Sequence, residues 1–184
     1  MPDSSLTKRA LARTMKELMA KESFSKISVG EICEACGMSR KSFYYHFRDK
    51  YDLVNWIFDT EFIEVIQKCG FESGVSILNG MCRYFYEEKA FYRSALEIEG
   101  QNSFRDHFTE VITPLMYSLA QELFSDREDE EFFTTFFSDA FLASIVRWLT
   151  KGTPMPAEDY MARLRNLVQG LSRLDQHKRE QNGE

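Results

Sequence analysis

The chain has 184 residues, 43% of them hydrophobic, and a net charge of −6 at pH 7. That length suits one or two small domains, and the apolar content excludes disorder by composition. The four cysteines, Cys33, Cys36, Cys69 and Cys82, do not form the dense framework of a small secreted domain, so reduced thiols are expected. No early apolar run with a cleavage site and no apolar stretch of membrane-spanning length is read, so the expectation is a cytoplasmic chain with no membrane partner.

The charge is unevenly spread. Residues 1–52 carry ten Lys/Arg against seven Asp/Glu, a surplus of +3, which leaves −9 on the remainder. A basic head on an acidic body points to a polyanion partner for the head alone.

Every segment reads helical, with no alternating Val/Ile/Thr run of strand length. The expected class is all-α with nine helices. The first spans 6–22, with Leu11, Met15, Leu18 and Met19 on one face. The chain breaks at Ser23–Lys26, and Phe24 and Ile27 plug the core beside it. Residues 28–50, SVGEICEACGMSRKSFYYHFRDK, then read as two short helices about a tight turn. Ser28 caps the second helix, with Glu31 completing a capping box, and Val29, Ile32 and Cys33 face inward. Gly37 stands where the turn demands φ > 0. Ser39 caps the third helix, whose buried face is Phe43 and Phe47. Its other face presents Arg40, Lys41, Tyr44, Tyr45 and His46. A short helix crowded with cations and phenols suits a DNA major groove, where a helix fits and base edges are legible.

Asp49 caps the fourth helix, Asp52 sits in its first turn, and an apolar stripe (Leu53, Trp56, Ile57, Ile63, Ile66) carries it to Cys69. Helices follow at 73–88, 89–99, 103–124, 127–151 and 157–174. Gly100 closes the sixth, Asn102 or Ser103 caps the seventh, and Pro114 is expected to kink it. The acidic run from Asp126 to Glu131 reads as N-terminal loading of the eighth helix. Gly152, Pro154 and Pro156 form a stop. The last helix carries Leu164, Leu167, Val168, Leu171 and Leu174 at helical spacing, and the polar tail 175–184 is expected to fray.

Residues 39–53, SRKSFYYHFRDKYDL, resemble the recognition-helix signature of TetR-family transcriptional regulators. That signature is a polar cap, a few base-reading positions, an aromatic pair, a Phe, and a Lys opening the next helix. Trp148-Leu149-Thr150-Lys151-Gly152, with Met155-Pro156 after it, resembles the joint between the last two helices in many members. Residues 99–104 (EGQNSF) with 51–58 (YDLVNWIF) are similar to a subgroup that includes activators of dihydroxyacetone-kinase genes.

The resemblance implies a three-helix DNA-binding head (1–48), a helical ligand-binding and dimerisation body (49–174) and a polar tail (175–184). It implies a homodimer on double-stranded DNA with a near-palindromic operator. Arg40, Lys41 and Ser42 fall at the base-reading positions. An Arg can bond guanine O6 and N7 bidentately, worth about 1–3 kcal/mol of discrimination. Two cations at a helix start oppose the dipole, which favours a functional reason for them. Many members have Gly where this chain has Lys41. Ser28, Ser39, Tyr44, Tyr45, His46 and Lys50 fall at positions for phosphate contacts, which set register without reading sequence.

In the body, Trp56, Tyr86, Phe104, Phe108, Met116 and Tyr117 are read as lining any effector cavity, beside the plainer reading of these rings as core. Phe141, Ile145, Trp148, Leu149, Leu164, Leu167 and Leu171 are read as the dimer interface, or else as rows filling the subunit's own core. The effector is a small molecule of unknown identity or, alternatively, a protein coregulator docked on the body.

No catalytic constellation is read. His107 and His177 lack a triad partner in local sequence and no Gly-rich phosphate loop occurs, so neither enzyme activity nor a cofactor is expected. Cys33 and Cys36 form a C-x-x-C pair that no second pair or His pair completes. No metal site is expected, and metal or redox sensing through this pair is a third reading.

Overall fold

The computed structural model describes the backbone of residues 4–69, 74–100, 102–123, 130–152 and 155–182; the side chains of residues 69, 120, 122, 123, 168 and 171–182 are outside the described set. The described residues form nine helices and no strand: α1 (Ser4–Met19), α2 (Val29–Ala35), α3 (Arg40–His46), α4 (Lys50–Cys69), α5 (Gly74–Glu87), α6 (Lys89–Leu96), α7 (Phe104–Leu123), α8 (Glu130–Thr150) and α9 (Ala157–Asn182). They fall into two compact units. One holds residues 1–64 with 88–108, the other 65–87 with 109–184.

In the first unit α1 buries Leu11, Met15 and Met19, an i, i+4 stripe that gives a helix its core face. It ends at Met19, three residues before the expected Glu22, because the N–H groups of Lys21 and Glu22 both turn back to the Leu18 carbonyl. Phe58 of α4 is the centre of an aromatic cluster, its ring 5.4 Å from Phe104, 5.6 Å from Phe108 and 6.5 Å from Tyr92. A polar network crosses the same unit. The Lys16 amine lies 2.6 Å from Glu61 and 2.8 Å from Glu88, and the Tyr92 hydroxyl donates to the other Glu61 oxygen at 2.5 Å. His107 Nε2 lies 2.6 Å from Asp59, a partner 48 residues away that local sequence does not reveal.

Helix α6 stops at Leu96, short of the expected Glu99, as Glu97 and Ile98 tighten onto the Ser94 and Ala95 carbonyls. Gly100 (φ 104°) and Asn102 (φ 60°) take the left-handed region. Ser103 is the residue that caps α7, accepting from the Asp106 N–H at 3.2 Å.

In the second unit α5 packs on α9. Ile77, Leu78, Met81, Cys82 and Phe85 of α5 are buried, as are Met116 of α7 and Tyr160 and Met161 of α9. Trp148 of α8 stacks on Tyr160 at 4.2 Å and Tyr86 at 6.1 Å. Its indole N–H donates to the Met155 carbonyl at 2.8 Å, as a buried Trp requires. The Tyr160 hydroxyl donates to Ser144 at 2.8 Å, and burial pushes its pKa well above the ordinary phenol value. Burial likewise pushes the Cys82 thiol up to about 12, so it stays protonated.

Four expectations for this part of the chain meet the structure. Helix α7 continues through Pro114 without a break, although proline removes one N–H donor. Helix α8 ends at Thr150 with Gly152 left-handed at φ 67°; Pro154, Asp126 and Arg127 lie outside the described residues. Helix α9 does not fray at Leu174 but runs on to Asn182, because residues 175–182 contain no Gly or Pro and five long straight-chain residues that favour helix. Lastly, α8 is, among the described residues, a helix long and apolar enough by length and composition to cross a membrane, contrary to the sequence reading. A core helix of a folded protein passes the same test, and α8 buries Phe141, Ile145, Trp148 and Leu149 within this unit.

Candidate nucleic-acid interface and body cavity

Helices α2 and α3 are too short to persist alone and are held by caps, a turn and two rings. At the start of α2 the Glu31 N–H donates to Ser28 Oγ (3.2 Å) and the Ser28 N–H to the Glu31 carboxylate (2.7 Å). This is the reciprocal capping box, and the two Ser28 bonds hold the Glu31 carboxyl below its ordinary pKa. Gly37, at φ 68°, makes the turn, with the Met38 N–H closing onto the Cys33 carbonyl at 2.8 Å. Ser39 Oγ then accepts from the Ser42 N–H at 3.1 Å. Phe43 (0% exposed) and Phe47 (3%) anchor α3 to the core.

With Phe43 facing in, the opposite flank of α3 faces out. Tyr44 is 58% exposed and Tyr45 82%; Arg40 and Lys41 are exposed, and Ser42 and His46 are half-buried. The His46 ring stands edge-on to Tyr45 at 4.9 Å. The Arg40 guanidinium lies back across α2, over Gly30. Thus Arg40, Lys41, Tyr44 and Tyr45 share one open surface, while the Ser28 and Ser39 hydroxyls are engaged as caps at its edge.

Lys50 opens α4, but its amine points inward. It donates to the carbonyls of Phe24 and Ile27, each at 2.7 Å, and sits 4.2 Å from the centre of the Phe24 ring. Burial lowers its pKa, partly opposed by the Glu31 carboxylate. Lys50 therefore ties the 20–28 segment to α4, a role the sequence did not disclose because its partners stand 23 and 26 residues away. Beside it Asp49 accepts from the Asp52 N–H, and Asp52 from the Arg48 N–H, both at 2.8 Å. Lys50→Met is expected to lower stability by about 1.5–3 kcal/mol, the scale of a lost charged hydrogen bond, and to weaken binding to every duplex alike. Urea unfolding and anisotropy check it; an unchanged midpoint refutes the tie.

Cys33 is buried and Cys36 half-buried, with the Cys36 thiol 3.5 Å from the Cys33 carbonyl. Burial pushes the Cys33 thiol pKa up, with Cys36 adding to the rise and Arg40 opposing it. That disfavours the thiolate a redox or metal sensor uses.

In the second unit a cavity of about 350 Å³ is lined by Val75, Leu78, Met116, Leu119, Phe137, Ala140, Phe141, Met161, Leu164 and Leu167, with Ser144, Arg165 and Gln169 as its polar members. Of the six expected lining residues Met116 belongs to it. Phe104 and Phe108 lie in the first unit's aromatic cluster. Trp56 packs on Phe47, Tyr86 on Trp148, and Tyr117 is 43% exposed. Of the expected dimer residues, Phe141, Ile145, Trp148 and Leu149 are buried within this chain, because that side of α8 fills the unit's own core. Leu167 is 58% exposed and Leu164 half-buried. The Leu171 side chain lies outside the described residues.

A family model described as bacterial regulatory proteins, tetR family, matches residues 11–57, and one described as transcriptional regulator C-terminal region matches residues 75–170. The chain is 29% identical over 103 residues to the HTH-type dhaKLM operon transcriptional activator DhaS of Lactococcus lactis subsp. lactis (strain IL1403), covering 54% of each chain. The chain thus spans about half the length of the relative it matches.

Among solved structures, the dihydroxyacetone kinase operon activator DhaS superposes with a TM-score of 0.70 at 21% identity, over 91% of this chain and 97% of that one. A TetR transcriptional regulator from Streptococcus agalactiae 2603V gives 0.71 at 20%, over 90% and 94%. Native NalD, the secondary repressor of the MexAB-OprM multidrug efflux pump in Pseudomonas aeruginosa, gives 0.61 at 17%, over 90% and 95%. At these identities the likeness is one of fold. With one family match on the capped helix pair and a second over more than half the chain, the protein belongs to the TetR family of bacterial transcriptional regulators.

Proposed function

We propose that the chain acts in the cytoplasm as a homodimer that reads a near-palindromic operator, with an effector in the second unit controlling its DNA affinity. In this reading residues 1–48 bind DNA, 49–174 bind the effector and dimerise, and 175–184 are a tail. The observation that carries it is the open flank of α3, with two cations and two phenols outward and Phe43 locked into the core. Arg40, Lys41 and Ser42 read base edges. Tyr44, Tyr45 and His46 meet phosphates, joined by Ser28, Ser39 and Lys50 at the N-terminal ends of α2, α3 and α4. The dimer forms through the outward sides of α8 and α9. Phe132 (64% exposed), Phe136 (55%) and Leu167 stand open there and offer apolar surface that a second copy would cover. The apolar lining of the 350 Å³ cavity suits a small, largely apolar effector.

A second reading makes the body a docking site for a protein coregulator. The exposed, stacked pair Phe132 and Phe136, 6.2 Å apart, favours it. Selecting duplexes from a randomised pool tests the reading directly. The expected result is an enriched near-palindrome with half-site centres about one helical turn, roughly 10 bp, or a multiple of it apart, and a solution mass of two chains at micromolar concentration. Enrichment of nothing refutes sequence reading, and a monomer mass refutes the constitutive dimer. Native mass spectrometry showing a small apolar molecule retained by the chain supports the cavity reading over docking.

A further inference from the structure

Gly30 sits in the first turn of α2, where its backbone does not call for glycine: the described glycines with positive φ are Gly37, Gly100 and Gly152. Alanine is the better helix former there. What the missing side chain does leave is room. A Cβ built on Gly30 would lie 2.5 Å from Arg40 Nη2, 3.3 Å from Cζ and 3.4 Å from Nε, and these guanidinium atoms are its three nearest neighbours. The Arg40 fork therefore rests on bare α2 backbone. Cys33, one turn along the same face, feels that charge, since Arg40 opposes the rise in its thiol pKa. Between Gly30 and Arg40 stand the turn at Gly37 and the Ser39-capped start of α3, a short connection that sets the seat beside the first turn of α3.

We propose that Gly30 is a specificity-determining residue: its bare backbone is the seat that positions the Arg40 guanidinium for the base edge it reads. The inference rests on Arg40 being a base reader. A long side chain held in one place before it meets DNA loses less freedom on binding, and the geometry of a bidentate contact tolerates little displacement. A methyl group at position 30 collides only with the end of a flexible side chain. It therefore displaces the fork while leaving the fold intact.

The test compares the full-length wild type with Gly30→Ala, Arg40→Ala and the double variant. Each is titrated with the duplex the wild type selects from a randomised pool and with a random duplex, and each is melted. Gly30→Ala is expected to melt no lower than wild type, to lose about tenfold on the selected duplex and to change less than about twofold on the random one, the loss expected of a displaced base contact. In the Arg40→Ala background the same substitution is expected to change neither affinity. Full discrimination in Gly30→Ala alongside its loss in Arg40→Ala overturns the role of Gly30 and leaves Arg40 as the reader. Full discrimination in Arg40→Ala overturns both. Tighter binding by Gly30→Ala, or a melting point lowered in both backgrounds, also overturns the seat: the first means the seat withholds Arg40 from DNA, the second that the collision lies elsewhere.

Discussion

Replacing Phe43 with alanine is expected to destabilise the protein by about 3–5 kcal/mol, the usual cost of emptying a phenylalanine site in a packed core. It is expected to remove binding to selected and random duplexes together. Phe43 is fully buried, between the ring of Tyr44 at 5.5 Å and that of Phe47 at 5.8 Å. Helix α3 has seven residues, too few to be helical in water without such packing. Losing the ring therefore releases the whole cationic flank. Circular dichroism during urea unfolding, paired with anisotropy, checks this. The binding loss is expected to follow the unfolded fraction, and the molecules still folded in the cold are expected to keep their preference for the selected duplex, since Arg40 is untouched. A Phe43→Ala variant that unfolds at the wild-type urea midpoint would overturn the anchoring role.

Arg40→Ala is expected to show the opposite pattern. Arg40 is exposed, so the melting point should hold. Affinity for the selected duplex should fall by about ten- to a hundredfold, the range of one bidentate base contact at about 1–3 kcal/mol. Random DNA should lose only the modest share owed to one positive charge, visible as a slightly shallower salt dependence. Repeating the duplex selection with the variant should relax one position in each half-site. An equal loss on both kinds of duplex refutes base reading and leaves Arg40 a general electrostatic contact. Together the two variants separate the residues that hold α3 from the residue that reads with it.

The all-α class, the nine helices, the two short capped helices of the head and the family were legible in the chain itself. The reason is range: Ser28 with Glu31, Ser39 with Ser42 and Asp49 with Asp52 complete their hydrogen bonds within three residues, and Gly37 makes its turn by its own backbone freedom. The inward Phe43 against the outward Lys41 and Tyr45 likewise follows from helical period. Tertiary structure decided what lies farther apart. It turned the Lys50 amine onto two carbonyls more than twenty residues back, laid Arg40 over Gly30, and brought Asp59 to His107. It also sorted the aromatics of the body, sending Phe104 and Phe108 into one core and lining a cavity elsewhere with Phe137 and Phe141. An apolar stripe states that a face is buried. Which neighbour buries it depends on packing among several helices at once, and no single segment carries that information.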